Sequence, residues 1–217
     1  TGNTIVEIQK EFSEGVILVP GQTFGGTQLS GYVEFMSNLK DLHEFKNLNF
    51  LIVHGDRLDA LGATIAAKLL GICVIHIEGG EISGTVDELI RHAVSKLSHI
   101  HFVANSEAKD RLLQMGEKEE TLFTIGSPEI DVMRGKNLPS LDDTKLRYEI
   151  PFKKYSVFIF HPVVTELDSI KKQIKEVVDS LVESNQNYIV IYPNNDPGSE
   201  IIIDEINKVK TNEKFKI

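Results

Sequence analysis

Residues 51–101 read LIVHGDRLDALGATIAAKLLGICVIHIEGGEISGTVDELIRHAVSKLSHIH and alternate twice between apolar runs and longer mixed segments. The runs LIVH and CVIHIE are short, apolar and rich in branched side chains, which is typical of buried strands. Each is followed by a polar turn and then by a segment whose apolar residues have helical spacing. Strands that alternate with helices in this way predict an α/β fold with a parallel sheet.

The same alternation continues through most of the chain. Strands are predicted at 16–19, 50–54, 73–78, 100–105, 121–128, 155–162 and 188–194, with a strand fragment at 214–217. The segment 135–150 is polar and rich in turn formers. We therefore expect a first Rossmann-like domain at 1–134 without its first strand, a linker at 135–150, and the start of a second, incomplete domain at 151–217.

Helices are predicted between these strands. Their expected positions are about 57–70, 86–97, 106–116, 168–183 and 199–209, with a short helix near 130–133. Serine is a favoured N-cap residue, because its hydroxyl accepts a hydrogen bond from a free backbone N–H. Ser106 and Ser199 are therefore expected to cap the helices that follow them.

Composition limits the classes of function. The chain has 217 residues and a net charge of −9, which argues against nucleic-acid binding because that needs a basic surface. No apolar run reaches about 18 residues, so no membrane span is predicted. Cys73 is the single cysteine, so neither an intramolecular disulfide nor a cysteine zinc site can form. We expect a cytoplasmic protein.

Ionisable side chains follow both strands of the segment 51–101. Asp56 and Arg57 follow the first strand, and His76 and Glu78 end the second, where they are expected to share one face. The carboxyl ends of parallel strands form the ligand edge of such a sheet. A carboxylate there can act as a base, and arginine suits phosphate. The alternative is structural: an ion pair, or a polar strand end satisfied by the glycine turn.

The next helix begins with Asp87 and Glu88, and Arg91 follows one turn later. These residues could serve a site at the sheet edge, or they could form an ordinary salt bridge on the helix surface. His99 and His101 are candidate metal ligands without a nearby third ligand. We interpret both as structural histidines and expect neither a metal ion nor an organic cofactor.

The second domain carries a similar arrangement. His161 ends the strand FIFH, and Asn194 and Ser199 lie in the segment YPNNDPGS after the next strand. His161 has the same position at a strand end that Asp56 has in the first domain. If the two domains face each other, we expect His161 to face the cleft between them. A turn rich in Asn, Asp, Pro and Gly also forms without any function, so that interpretation stays open.

Together these motifs resemble a known family. VHGDRLDA, HIEGGE, RHAVSKLSHIH, GSP (126–128), FHPVVT and YPNNDPGS are similar, in order and spacing, to the hydrolysing UDP-N-acetylglucosamine 2-epimerases of the sialic-acid pathway. Close relatives act on nucleotide sugars in legionaminic-acid synthesis. The resemblance implies two Rossmann-like domains facing a cleft, the glycosyltransferase-B architecture. It also implies that the chain is a fragment and that the protein is a homo-oligomer, either a dimer or a tetramer.

The resemblance further implies a reaction and its residues. The nucleotide leaves C1 while a proton leaves C2, and water then adds to the glycal, giving N-acetylmannosamine and UDP. The acid/base carboxylates fall on Asp56, Glu78 and one of the pair Asp87 and Glu88, of which Glu88 is preferred, and the histidine of the second domain falls on His161. Contacts to substrate or nucleotide are expected from Arg57, His76, Asp87, Arg91, Asn194 and Ser199.

Several alternatives stay open on sequence alone. The substrate could be a UDP- or GDP-linked diacetamido sugar of the legionaminic-acid type. The enzyme could be a non-hydrolysing 2-epimerase, although GDR and HIEGGE favour the hydrolysing branch by resemblance. A glycosyltransferase of the same architecture and an inactive nucleotide-binding module are the candidates from other classes.

Overall fold

The computed structural model describes residues 28–41, 43–136, 138–194 and 196–217, together with Ile8 and Phe12. The described residues 28–136 belong to one compact unit and residues 138–217 to a second. The strand predicted at 16–19 lies outside the described residues. No helix in the described part of the chain is both long and apolar enough to cross a lipid bilayer.

The first unit contains a parallel sheet with strand order β1-β2-β3-β4. Its strands are β1 (Phe50–His54), β2 (Cys73–Ile77), β3 (Ile100–Val103) and β4 (Leu122–Thr124). Its helices are α1 (Gln28–Asp41), α2 (His43–Lys46), α3 (Leu58–Leu69), α4 (Val86–Leu97), α5 (Ser106–Gln114) and α6 (Pro128–Met133), with a 3₁₀ turn at Glu119–Thr121. All pairings between neighbouring strands are parallel, as the sequence predicts.

One face of this sheet forms the core of the unit. Val53 of β1 pairs in register with His76 of β2, which pairs with His101 of β3, so these three side chains share the buried face. Apolar residues of the helices pack with the buried strand residues, among them Ala67 of α3 and Val94 of α4. The strands whose carboxyl ends form the sheet edge are therefore packed against α3 and α4 on this face.

The second unit repeats the pattern on a smaller scale. It contains α7 (Leu141–Arg147), β5 (Ser156–Ile159), a 3₁₀ turn (Val164–Glu166), α8 (Ile170–Glu183), β6 (Tyr188–Ile191), α9 (Ser199–Asn207) and β7 (Phe215–Lys216). Its three strands are parallel, in the order β5-β6-β7. Its core joins α8 and α9 to one face of the sheet through residues such as Ile174, Val190 and Ile202.

The predicted α/β class is confirmed, and two local predictions need correction. Asn105, not Ser106, caps α5: its side-chain oxygen accepts a hydrogen bond of 2.8 Å from the N–H of Ala108. Ser199 is the first residue of α9 rather than its cap, because Gly198 occupies the cap position with φ 91°. The segment 135–150, for which a linker stays a prediction, contains α7.

The turn after β2 depends on two adjacent glycines for different reasons. A Cβ atom on Gly79 would lie 2.8 Å from both His76 Nδ1 and Ser95 Oγ. Gly80 has φ 82°, and a Cβ atom there would lie 2.4 Å from the carbonyl oxygen of Ala108. The turn thus passes too close to buried side chains and to the backbone of α5 for any larger residue.

The substitution Gly80→Ala should lower the free energy of unfolding by about 2–4 kcal/mol, since it combines backbone strain with a steric clash. Gly84→Ala is the matched control, because Gly84 also has a positive φ of 68° but a Cβ atom there would meet no other atom within 4 Å. That control should lose only about 1 kcal/mol. Urea unfolding of both variants measures the difference, and equal losses would contradict the packing described above.

Candidate active site

Four polar side chains form two pairs at the carboxyl edge of the first sheet. The turn after β1 supplies Asp56, the residue after β2 is Glu78, α4 supplies Arg91, and Ser127 follows β4. Arg91 binds Asp56, and Ser127 binds Glu78. Asp56 and Glu78 therefore both lie at this edge, each bound by a side chain from another segment.

Asp56 and Arg91 form an ion pair between Oδ2 of the aspartate and Nη2 of the arginine. The Arg91 side chain is only 13% exposed. Its Nε and Nη1 atoms are buried and have no hydrogen-bond partner among the described residues. A buried donor without a partner costs about 1–3 kcal/mol, so the N–H groups of these two nitrogen atoms are suited to an anionic ligand that would satisfy them.

Glu78 holds the most constrained position in the cluster. Its φ of 63° lies in the left-handed region, which costs a residue with a side chain about 1–2 kcal/mol. Its backbone N–H still donates to the carbonyl of Phe102 in β3. The strained conformation therefore lies directly at the end of β2. Its side-chain oxygens are bound separately: Oε2 lies 2.7 Å from Nε2 of His54, and Oε1 accepts from Ser127 Oγ at 2.6 Å.

These contacts decide the charge of Glu78. Burial raises the pKa of this carboxyl group, but the hydrogen bonds from Ser127 and His54 outweigh burial, so the pKa lies below its ordinary value. Glu78 is therefore ionised at neutral pH and available as a base. The side chain is 22% exposed, so a ligand can still reach it.

His76 is predicted to contact the substrate or nucleotide, and the structure places its ring in the interior. Its side chain is fully buried, and Nε2 donates to the carbonyl of Gly55 at 2.9 Å. Nδ1 lies 3.0 Å from Ser95 Oγ and must accept the hydroxyl proton, since the proton of the neutral ring is on Nε2. The left-handed backbone of Glu78 follows the end of β2, and its carboxylate lies against His54.

The buried ring of His76 connects two segments that carry residues of the candidate site. Burial lowers its pKa to about 4, mainly because the charged form would lose its hydration. The neutral ring ties the turn that carries Asp56 to Ser95 of α4. Since Arg91 and Ser95 are one helical turn apart, the same face of α4 reaches both His76 and Asp56.

Asp87 and Glu88, which the sequence could not separate, differ in the structure. Glu88 Oε2 accepts hydrogen bonds of 2.8 Å from the backbone N–H groups of Ser83 and Gly84. The bonds from Gly84 and Ser83 lower the pKa of Glu88. Asp87 and Glu88 precede Arg91 by four and three residues, so both are its neighbours on the helix. Glu88 Oε1 also lies 3.9 Å from Nε2 of His92, and Asp87 Oδ2 accepts a hydrogen bond of 3.5 Å from Thr85 Oγ1.

The remaining predicted residues of the first unit have these positions. Arg57 is exposed and precedes α3 at its N-cap position. His99 Nδ1 accepts a hydrogen bond of 3.0 Å from the N–H of Val74. His101 is fully buried, with Nε2 3.4 Å from Glu117 Oε2. Within the described residues, no three His, Cys, Asp or Glu side chains are grouped so that they could hold a metal ion.

The predicted residues of the second unit lie at the carboxyl end of its own sheet. The N–H of Asn194 is 3.5 Å from Nδ1 of His161, so these two residues are neighbours. Ser199 begins α9, is 4% exposed, and has an Oγ atom without a hydrogen-bond partner in the described part of the chain. A buried hydroxyl at a helix N-terminus suits an anionic group, because the free N–H groups there attract negative charge.

The sequence analysis assigned no role to His54, Ser95 or Ser127. His54 ends β1 and belongs to the ionisable residues expected at that strand end, but no partner could be predicted for it. Ser95 and Ser127 lie 19 and 49 residues from their partners. Only the motif GSP pointed to Ser127, and only through the family resemblance.

Known proteins are similar to this chain over most of its length. Residues 23–217 match the family described as UDP-N-acetylglucosamine 2-epimerase. The chain belongs to this family. It is 43% identical over 217 residues to the UDP-N-acetylglucosamine 2-epimerase of Neisseria meningitidis, covering 99% of this chain and 56% of that protein.

A second relative in the family is the UDP-N,N'-diacetylbacillosamine 2-epimerase (hydrolyzing) of Legionella pneumophila. It is 43% identical over 182 residues, covering 83% of this chain and 46% of that protein. The chain thus spans about half the length of the curated relatives it matches. Both names describe 2-epimerases of acetamido nucleotide sugars.

A solved structure shows the same fold. The UDP-GlcNAc 2-epimerase of Methanocaldococcus jannaschii, in complex with UDP-GlcNAc and UDP, superposes with a TM-score of 0.74 at 19% identity. The likeness covers 89% of this chain and 55% of that one. The fold class predicted from the sequence, Rossmann-like parallel sheets of the glycosyltransferase-B type, is confirmed.

The buried ring of His76 should titrate with a midpoint near pH 4 and carry its proton on Nε2 while neutral. The unfolded chain takes up this proton near pH 6.5, so the free energy of unfolding should fall by about 3 kcal/mol as pH drops from 6.5 to 4. Above pH 6.5 the residue contributes no pH dependence. Long-range ¹H–¹⁵N NMR measures the titration midpoint and shows which ring nitrogen carries the proton. The signal is assigned by its loss in His76→Gln. A midpoint above pH 6, or a proton on Nδ1, would refute this description of the ring.

Proposed function

We propose that the full-length protein containing this chain is a hydrolysing nucleotide-sugar 2-epimerase. It converts UDP-N-acetylglucosamine and water to N-acetylmannosamine and UDP, as in sialic-acid-type sugar biosynthesis. Family membership supports the 2-epimerase chemistry, and the Legionella pneumophila relative, whose name includes the word hydrolyzing, supports the hydrolytic outcome. The observation that carries the proposal is the ionised, strained Glu78 beside the Asp56–Arg91 pair.

In the first step, Glu78 removes the proton from C2 of the sugar. The electron pair of the C2–H bond forms the C1=C2 double bond while the C1–O bond breaks, and UDP leaves with the bonding electrons. The hydrogen at C2 is only weakly acidic, so the base has to be fixed and ionised. The contacts from Ser127 and His54 give Glu78 both properties.

In the second step, water adds to the glycal. Its oxygen bonds to C1 as one O–H bond of water breaks, and the electron pair of the C1=C2 bond takes a proton at C2 from the face opposite to the one that lost it, which inverts C2. The proton released by water restores the acid that protonates C2, and the proton held by Glu78 passes to solvent. This step needs a second acid, and we assign it to Asp87 rather than to Glu88. Both carboxylates lie within one helical turn of Arg91, but Glu88 is already bound by two backbone N–H groups of the preceding turn. Asp56 orients Arg91 through their ion pair.

The leaving diphosphate develops negative charge that must be stabilised. The Nε and Nη1 atoms of Arg91, which have no hydrogen-bond partner among the described residues, are suitable donors in the first unit. In the second unit, His161, Asn194 and the N-terminus of α9 with Ser199 are the proposed nucleotide contacts. Arg57 is a further proposed nucleotide contact. No step of this reaction calls for a metal or an organic cofactor.

A second substrate has specific support. The Legionella pneumophila relative is as similar in sequence as the Neisseria meningitidis relative, and its name gives a diacetamido sugar. UDP-N,N'-diacetylbacillosamine is therefore the second candidate, and it would use the same C2 chemistry. We further propose that the protein acts in the cytoplasm, since its single cysteine suits a reducing compartment, and that it is a homo-oligomer, as the family resemblance implies.

The first test uses the full-length protein with UDP-N-acetylglucosamine and follows release of UDP. Glu78→Gln should lower kcat by about 10³-fold, because the amide keeps the shape of the side chain but cannot take up the C2 proton. Its melting temperature should change by only a few degrees. Product analysis by NMR distinguishes free N-acetylmannosamine from a nucleotide-linked epimer. Failure to release a nucleoside diphosphate from either candidate substrate would reject the proposed function.

The second test separates the two neighbouring carboxylates. Asp87→Asn should lower kcat by about 10²-fold or more, because the second step loses its acid. Glu88→Gln should retain activity within about tenfold and should mainly lower the melting temperature, since the turn at Ser83 and Gly84 loses a charged acceptor. The reverse ranking of the two variants would restore Glu88 as the catalytic residue.

A further inference from the structure

Ser127 occupies a position where a serine normally stabilises a helix, but it does not do so. It is the N-cap residue of α6, with an extended backbone and Pro128 as the first helical residue. Its side chain makes no hydrogen bond to the helix. Instead, the hydroxyl donates to Oε1 of Glu78 at 2.6 Å, across a separation of 49 residues. Ser127 therefore contacts Glu78, which follows another strand, instead of capping its own helix.

A second serine in the chain shows the ordinary behaviour. Ser140 is the N-cap of α7, and its Oγ accepts a hydrogen bond of 3.1 Å from the N–H of Asp143. Ser127 and Ser140 therefore have the same residue type in the same helix position but different partners. The difference shows that the orientation of Ser127 is set by Glu78 and not by the needs of its own helix.

The partner of Ser127 is held in an equally unfavourable state. Glu78 has a left-handed backbone, which a structural residue at this point would avoid by being glycine. Its other oxygen, Oε2, is bound by His54, so the two side chains hold the carboxylate from both ends. Ser127 leaves its own helix without a side-chain cap, and Glu78 has a strained backbone. Both features cost stability, and one short hydrogen bond joins the two residues. Local strain of this kind is typical of functional sites.

We propose that Ser127 is a positioning residue for Glu78: its hydroxyl fixes the orientation of the carboxylate and keeps it in the ionised form that removes the C2 proton. The inference rests on the proposed function for its catalytic consequence, although the effect on Glu78 itself does not depend on it. A hydroxyl has one proton to donate, and Ser127 donates it to Oε1. The donor therefore stabilises the negative carboxylate and leaves Oε2 with His54.

The central experiment compares Ser127→Ala, Ser127→Thr and Ser140→Ala in the full-length protein. Ser127→Ala should lower kcat by about tenfold and change KM by less than about twofold, and the acidic limb of its kcat–pH profile should move up by about one pH unit. Ser127→Thr keeps a hydroxyl and should return the limb toward the wild-type position. Ser140→Ala should leave the pH profile unchanged while lowering the melting temperature by a few degrees.

An unchanged acidic limb in Ser127→Ala would overturn the proposal, even if activity fell, because a merely structural residue would lower activity without moving the titration. A loss of thermal stability in Ser127→Ala as large as that in Ser140→Ala, with no change of the limb, would identify an ordinary cap. Return of the acidic limb toward its wild-type position in Ser127→Thr would support the proposal.

A readout without turnover separates this proposal from the proposed function. ¹³C NMR of the protein labelled at glutamate Cδ follows the titration of Glu78, with the signal assigned by its loss in Glu78→Gln. Ser127→Ala should raise the titration midpoint of Glu78 by about one pH unit. An unmoved midpoint overturns the positioning role. A moved midpoint in a protein that releases no nucleotide supports the positioning role while rejecting the epimerase assignment.

Discussion

The buried hydrogen bonds of His76 hold the candidate active site together. The ring lies under the sheet edge and connects the turn after β1 with α4 through the carbonyl of Gly55 and the hydroxyl of Ser95. Asp56 follows Gly55 directly, and Arg91 lies one helical turn before Ser95, so both partners of the ion pair are attached to this connection. The imidazole of His76 is neutral, and both of its nitrogen atoms are hydrogen-bonded, so it fixes the backbone segments that carry Asp56 and Arg91.

Much of the fold could be predicted because its signals are local and repeated. The strands at 50–54 and 73–78 and the helix at 86–97 were predicted within one or two residues of their observed bounds, since apolar runs and helical spacing set them directly. The caps were harder. Asn105 and Ser106 are adjacent residues with good capping side chains, and only the backbone geometry shows which of them accepts the hydrogen bond from Ala108.

The site was predicted less completely, for physical reasons that particular residues make clear. Asp56 and Glu78 follow strands, so the sheet topology alone places them at one edge. The choice between Asp87 and Glu88 depends on a rotation of about 100° around the helix axis, which the sequence does not define at a helix start. Ser127 depends on a contact across the sheet, and such pairs leave no local pattern. The left-handed backbone of Glu78 also breaks the alternation on which strand prediction rests.

The double glycine of the turn after β2 limits how this protein can change in evolution. Gly79 is confined by the imidazole of His76 and the hydroxyl of Ser95, whereas Gly80 is confined by the backbone of α5. A larger residue at position 79 becomes possible only if the residue at 76 or 95 becomes smaller at the same time. These positions should therefore show strong epistasis: a tolerated change at position 79 requires an earlier compensating change, and that change would itself remove the hydrogen bonds that connect the turn after β1 with α4.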